Sequence, residues 1–361
     1  GGFAGALARL TGWPSASALA GACRDARALL GAFDPLGGAF VPVAVRGDVF
    51  MWAPAQGTVA SLRLAGDLAI GQAAAQVGRD VVCCGGEYDH DDGRISGEAK
   101  RFSREAGAWS SVRDMPRQVR NHTATALGGH VYVCGGVYRA SEFDGLWEER
   151  GASVMRFSSC CHAWSEWGQM RVCRAEHAAA AAGGRLYLCG GASRGGVAAD
   201  MVEVFDPVTG GGELLPSMGF CRRGHAMAAS GAFLYVFGGT KSSSAERYDV
   251  AAGTWTALPG PPQPPPAARV RALAGAATAR AFHVLVEANW GEWRHLCALV
   301  LDLPTGVWSG HAPAVARPPR WRGWWWGGWW FCVDDRADLA ARHGHVLPRA
   351  DPWPDVDAPA P

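Results

Sequence analysis

Counting 33 residues forward from an aromatic reaches a Gly-Gly pair four times in this chain: Trp52 to Gly85-Gly86, Phe102 to Gly135-Gly136, Phe157 to Gly190-Gly191 and Phe205 to Gly238-Gly239. A second marker follows seven residues after the aromatic register, as Trp109 after Phe102, Trp164 after Phe157, Trp255 after Tyr248 and Trp308 after Leu301. Such self-similarity means one supersecondary unit copied along the chain. Periods of roughly 40 to 55 residues are those of four-stranded sheets arranged radially about an axis.

The segment from Arg174 to Met218 gives the unit most clearly. His177 to Ala182 reads as a first strand, Gly183-Gly184 as a turn, Leu186 to Cys189 as a second strand ending on a glycine pair, Met201 to Phe205 as a third, and Leu214-Leu215 as a fourth. The glycine pair is expected to supply positive φ and close backbone approach where a Cβ would obstruct. The aromatic and the later Trp are expected to pack between adjacent sheets. The fold class is therefore all-β: a β-propeller of four-stranded blades.

Composition limits the partners. With 34 basic and 33 acidic side chains and a net charge of +1, nothing steers the chain to nucleic acid or an acidic membrane surface. No run of 18 apolar residues marks a helical membrane span. The first residue is not Met, so the chain reads as a fragment, and loss of a signal peptide stays open. Cys83, Cys84, Cys134 and Cys189 sit directly before glycine pairs, where another blade has Val236-Phe237, and so read as small core hydrophobes. An odd total of 11 cysteines without C-x-x-C argues against a disulfide framework or a zinc site. Free thiols point to the cytoplasm or nucleus.

The markers together resemble the kelch family: Gly-Gly, an aromatic followed by Asp (Phe205-Asp206, Tyr248-Asp249), then Trp, then Met or Leu beside Pro (Met115-Pro116, Pro216-Ser217-Met218, Leu258-Pro259). The resemblance covers residues 45 to 335. It departs at Gly212, which replaces Trp, at Val286-Glu287, which replaces the glycine pair after a span of 38, and at Asp334-Asp335. The proline-rich run Pro261 to Pro266 accounts for the added length and reads as a connector. Residues 47 to 66 carry later strands of a blade and 317 to 335 earlier ones. Joined, they would close a ring of six blades. Val346 and Trp353 repeat the seven-residue spacing and leave a seventh open. The expected organisation is an N-terminal helical segment over 1–40, the propeller over 41–335 and a Pro-rich tail over 336–361.

Repeat length varies mainly between the glycine pair and the next aromatic, which follows 16, 21, 14 and 9 residues later. Insertions on one face of a repeat array often mark its binding face. Antiparallel alternation places the start of the first strand at that same rim. Arg174 and His177 stand thirteen and ten residues before Tyr187, and Arg222 and His225 repeat this before Tyr235; His122 repeats it before Tyr132, with Arg120 displaced by one. In kelch propellers that recruit peptides, arginines at first-strand starts are common contacts, which implies partner-binding roles for Arg120, Arg174 and Arg222. Recurrence in several blades equally suits a structural strut, the reading preferred for the histidines. The unmatched loop residues Tyr88, Tyr138, Arg139, Arg194 and Lys241 complete the candidate partner-binding set.

Asp89 to Gly93 lacks the ligand spacing of a calcium loop and reads as a solvated acidic turn. The run Arg320 to Trp330 holds six tryptophans; alternation buries both faces between blades, with an exposed aromatic patch as the alternative. No catalytic constellation, metal site or cofactor is assigned by spacing. At the N-terminus, Leu19, Cys23, Ala26 and Leu30 share a helical face. The stretch Trp13-Pro14 through Leu30 resembles the end of an F-box, with Ala26 in place of its Trp. An F-box and kelch arrangement implies a protein-interaction module that presents a protein substrate or peptide to a cullin-RING ubiquitin ligase, binding the adaptor subunit through the N-terminal segment. The alternatives are a metal-dependent propeller enzyme, galactose oxidase-like or specifier-like, and a cytoskeletal or scaffold kelch protein. Only six tyrosines, four at repeat positions, count against the oxidase.

Overall fold

The computed structural model describes residues 41–45, 48–54, 58–62, 69–88, 94–142, 145–193, 196–239, 242–261, 269–290, 293–311, 314–315, 321–326 and 329–334. The F-box-like segment, the tail with Val346 and Trp353, and the Asp89 to Gly93 turn lie outside these residues. Five sheets are four-stranded antiparallel meanders contiguous in sequence. Numbering blades in chain order and strands a to d outward from the axis, blade 2 is Ala73–Val77, Asp80–Cys84, Ala99–Ser103 and Ala108–Ser111. Blade 3 is Thr123–Leu127, His130–Cys134, Ser153–Ser158 and Ala163–Gln169. Blade 4 is Ala178–Ala182, Arg185–Cys189, Val202–Asp206 and Gly211–Leu215; blade 5 is Ala226–Ser230, Phe233–Phe237, Ala245–Asp249 and Thr254–Leu258. Blade 6 is Arg269–Ala277, Ala281–Trp290, Trp293–Asp302 and Val307–His311.

A sixth sheet closes the ring, but not in the expected way. Val41–Val45 pairs with Asp48–Ala53 and that with Thr58–Leu62, while the two-residue strand Ala314–Val315 adds in parallel to the outside. This is blade 1, and Val41–Val45 packs beside the inner strands of blades 2 and 6. Residues 321–334 therefore do not supply its inner strands; Trp321–Trp326 and Trp329–Asp334 form a separate hairpin against blade 6. The reason is local. Val45 pairs with Asp48, only three positions on, so the strand bearing Trp52 is paired on its inner side before any distant segment can reach it.

The core lies between blades, which explains why strand b is apolar almost without a break. Successive side chains point to opposite faces, and both faces are covered. In blade 3, Val131 and Val133 pack toward blade 2, while Tyr132 and Cys134 join Leu186, Leu188 and Phe205 of blade 4. Cys83 faces blade 1 and Cys84 faces blade 3, both as buried free thiols. Phe157 and Trp164 are cross-strand partners with ring centroids 5.1 Å apart, as are Tyr248 and Trp255. Trp255 Nε1 donates to Pro216 O (2.9 Å) and Trp308 Nε1 to Pro259 O (2.7 Å), so the Trp of one blade grips the Pro that ends the previous one.

Two of the three departures from the repeat have a physical cause. A Cβ at Gly212 would collide with the Glu203 carboxylate, and Arg171 Nε bonds the Gly212 carbonyl at 2.5 Å, so no Trp fits there. In blade 6 strand b continues through Val286-Glu287 to Trp290 and pairs throughout with Trp293–Asp302. The chain never leaves the sheet at that point, and no glycine pair is needed.

Candidate functional site

The loops after strand b and the connections into strand a meet at one rim. Each glycine pair there is left-handed: Gly135 and Gly136 have φ of 61° and 100°, Gly190 and Gly191 of 58° and 96°. The second glycine N–H donates across to the connection into strand a, as Gly136 to Arg174 O and Gly191 to Arg222 O (2.9 and 2.8 Å). Each histidine is clamped between two pairs. A Cβ on Gly190 would lie 2.9 Å from His225 Cε1, and one on Gly191 would lie 2.8 Å from His177 Cβ. His122, His177 and His225 are thus struts, as expected, and burial before all else depresses their basicity: to about 4 for His122, to about 3 for His225, and well below the usual range for His177.

The arginines expected at the rim behave differently from one another. Arg174 and Arg222 are 1 % and 0 % exposed. Arg174 Nη1 donates to Gly190 O and Met201 O (both 3.1 Å), and Nη2 pairs with Glu203 at 3.4 Å. Arg222 Nη1 donates to Gly238 O (2.6 Å) and Ser244 O (2.9 Å), and Nη2 pairs with Glu246 at 2.7 Å. Both guanidinium groups are spent inside the blade wall, where a partner does not reach them; here they act as struts rather than as the open contacts expected. Desolvation raises the Glu203 carboxyl above its ordinary range despite the arginine. The carboxylates were missed in the sequence, although each stands two residues before its blade's aromatic, Phe205 or Tyr248.

Arg120 is out of register because Val119 is the true counterpart of Arg174 and Arg222: Gly86 N–H donates to Val119 O at 2.9 Å. In blade 3 Val119 and Met155 occupy the two places held elsewhere by Arg and Glu, and both are buried in one apolar cluster. Arg120 instead matches Arg223, half-buried at the rim. Arg120 pairs with Glu87 at 3.2 Å, and Arg223 with Glu176 at 3.8 Å. Tyr138 is half-buried, with its hydroxyl donating to Glu149 Oε2 at 2.7 Å, and this bond is the first cause of its raised pKa. Tyr88, also half-buried, accepts from Ser96 Oγ at 3.4 Å. Arg139 lies on the strand Val137–Glu142 of a hairpin that fills the longest variable loop, pairing with Gly145–Arg150. Arg194 and Lys241 lie outside the described residues. Around these, Arg117, Cys173, Val197, Phe220 and Cys221 are exposed on the same loops and connections.

Four left-handed residues mark the axial side of this rim: Gly71, Asn121, Glu176 and Gly224, with φ between 55° and 72°. Asn121 N–H donates to Gly71 O, Glu176 N–H to Asn121 O and Gly224 N–H to Glu176 O, all within 2.9 Å. Among the described residues no group of three or more His, Cys, Asp or Glu is placed to hold a metal ion.

The KLHDC2/KLHL20/DRC7 Kelch-repeats domain matches residues 71–284, more than half of the chain. This chain belongs to the kelch-repeat family. Its kelch propeller is similar to Kelch-like protein 35 of Mus musculus, 30 % identical over 135 residues that make 37 % of this chain and 21 % of that protein. It is also similar to Kelch repeat and BTB domain-containing protein 12 of Danio rerio, 24 % identical over 144 residues, 37 % of this chain and 23 % of that protein. Kelch-like protein 34 of Homo sapiens is 29 % identical over 102 residues, 27 % of the chain and 16 % of that protein. The kelch chain thus aligns with less than a quarter of each of these relatives, a likeness that suggests a protein-interaction module.

Proposed function

We propose that this kelch propeller holds a protein partner on the rim formed by the loops after strand b and the connections into strand a, and presents it to a cullin-RING ubiquitin ligase in the cytoplasm or nucleus. The observation that carries the reading is the division of the rim. Its deep arginines and histidines are used up in holding the blades, while Tyr138, Cys173, Val197, Phe220 and Arg117 stand on loops of unequal length at the surface. Apolar and aromatic anchors beside guanidinium groups are the composition of protein-binding hot spots. The kelch and BTB names of the relatives support a ligase receptor as a class, and an F-box-like N-terminus supports the same end by another adaptor. A catalytic reading has less support, since four of the six tyrosines, Tyr132, Tyr187, Tyr235 and Tyr248, are buried within the blades.

Affinity capture with mass spectrometry tests this. Recovery of cullin-RING subunits with a substrate protein is the expected result, and the double variant Tyr138→Ala, Phe220→Ser should lose the substrate while melting normally. Full capture by that folded variant would remove the rim from the proposal. Stoichiometric copper or iron in the purified protein would favour the enzyme instead.

A further inference from the structure

The turn between strands c and d of blade 3 lies at the rim opposite the variable loops and carries two adjacent cysteines, Cys160 and Cys161, both exposed. In an extended chain neighbouring side chains point to opposite sides. Here residues 159–162 instead form a turn, with His162 at φ of +51°, and the alternation of an extended strand does not apply. Cys160 Sγ lies 3.0 Å from Ser158 Oγ, and Cys161 engages both that hydroxyl and Cys160. The Ser158 hydroxyl is the first cause that holds the Cys161 thiol below its ordinary pKa. A frame surrounds the pair: Ser159 Oγ donates to Gly129 O at 2.7 Å, His162 stacks on Phe157 with centroids 6.2 Å apart, and Arg101 Nη1 lies 2.7 Å from His162 Nε2. Arg101 belongs to blade 2 and is itself paired with Asp80 at 3.3 Å, so the turn is tied to the neighbouring blade.

We propose that Cys160 and Cys161 form a reversible oxidation site, closed to a disulfide between adjacent residues by a low-molecular-weight disulfide such as oxidised glutathione. The Cys161 thiolate attacks one sulfur of the small disulfide, whose S–S bond breaks and whose departing thiolate takes up a proton. Cys160, deprotonated in turn, attacks Cys161 Sγ and expels the second small thiol, which takes the proton Cys160 gave up. Two protein thiols lose two electrons and two hydrogens, and the small disulfide gains both as two thiols. Adjacent Cα atoms are about 3.8 Å apart across a trans peptide, below the roughly 4.4–6.8 Å of ordinary disulfides. The closed ring is therefore strained and reopens readily under excess small thiol, the behaviour of labile rather than structural bonds. Closing it reshapes the turn that carries His162 and the link to Arg101.

The test uses the full chain, reduced, then equilibrated with graded ratios of oxidised to reduced glutathione, alkylated and digested with trypsin. The fragment Phe157 to Arg171 contains these two cysteines and no other. The expected product is an unalkylated fragment about 2 Da lighter than the dithiol, two hydrogens having been lost, that returns to the dithiol with excess thiol. With Cys160→Ser or Cys161→Ser the surviving cysteine should instead retain glutathione as a mixed disulfide. Ser158→Ala should slow closure several-fold against the modification of Cys173 in the same sample. A wild-type fragment that stays doubly alkylated, or keeps glutathione without expelling it, at ratios where exposed Cys173 and Cys221 are modified would overturn the proposal.

Discussion

Blade 3 has already performed the experiment that tests what Arg222 and Glu246 do. Where blade 5 buries that ion pair, blade 3 buries Val119 and Met155 at the same two positions. In blade 5 the guanidinium is fully enclosed, with Nη2 2.7 Å from Glu246 Oε1 and Nη1 on Gly238 O and Ser244 O; Glu246 Oε2 in turn accepts from Gly219 N–H at 2.7 Å. Glu246→Met alone leaves a buried guanidinium without its counter-charge and strands the Gly219 N–H. Arg222→Val alone leaves a buried carboxylate. Each should cost about 3–5 kcal/mol. The double variant removes both charges and installs the blade 3 pair. Its residual cost is the donor lost at Gly238 O and the acceptor lost at Gly219 N–H, since Ser244 O keeps the Gly238 N–H at 3.0 Å, so about 1–3 kcal/mol is expected. The double variant should then be more stable than either single, a coupling of several kcal/mol where independent sites agree within about 0.5. Denaturant unfolding of the four proteins measures it, with the slope checked for two-state behaviour. Additive single costs would refute the reasoning, because they would mean that the charges do not depend on each other inside the wall.

The glycine clamp predicts a contrast within one blade: Gly190→Ala adds a Cβ 2.5 Å from Arg222 O and should destabilise by more than about 2 kcal/mol, whereas Gly183→Ala, with nothing within 4 Å, pays only for its left-handed φ, about 1 kcal/mol. Paired thermal melts decide it, and equal losses would mean that backbone conformation alone sets the requirement. Acid should weaken the fold before the carboxylates titrate. His122 and His225 are held at about 4 and about 3 against an ordinary 6.5, so as pH falls below 6.5 the unfolded chain takes up protons that the folded one refuses. The stability is complete above pH 6.5 and is lost as pH falls toward about 4 for His122 and about 3 for His225, by about 2 kcal/mol per histidine at pH 5. His225→Gln, which copies Gln72 at the same register, should flatten the melting curve over that window, and an unchanged slope would sink the account.

The markers legible in the sequence are those that burial on both faces enforces. Phe157, Trp164 and the Val131 to Cys134 run must be apolar because a neighbouring blade covers each side, and Gly135-Gly136 must be glycine because the Arg174 carbonyl occupies the space of the first Cβ and the Arg120 carbonyl and His122 that of the second. Ring closure was not legible. Val41–Val45 is a single short strand outside the repeat register, and the parallel strand Ala314–Val315 is too short to carry any alternation. Arg174 and Arg222 stayed ambiguous because a charged residue at a strand start looks the same whether it turns inward or outward. The glutamates at 203 and 246, present in those two blades and replaced by Met155 where Val119 replaces the arginine, contained the answer.

The backbone chain through Gly71, Asn121, Glu176 and Gly224 separates two design problems that a repeat protein otherwise has to solve together. From blade 2 to blade 5 the connections into strand a are tied by main-chain atoms, each N–H gripping the carbonyl of the preceding connection, and these bonds do not depend on any side chain of the loops after strand b. Loop length at the periphery is consequently a free parameter: nine residues or twenty-one can leave the same glycine pair and return to the same register. A segment grafted after strand b inherits a fixed anchorage at both ends, so recognition can be rewritten on this scaffold without re-engineering the ring.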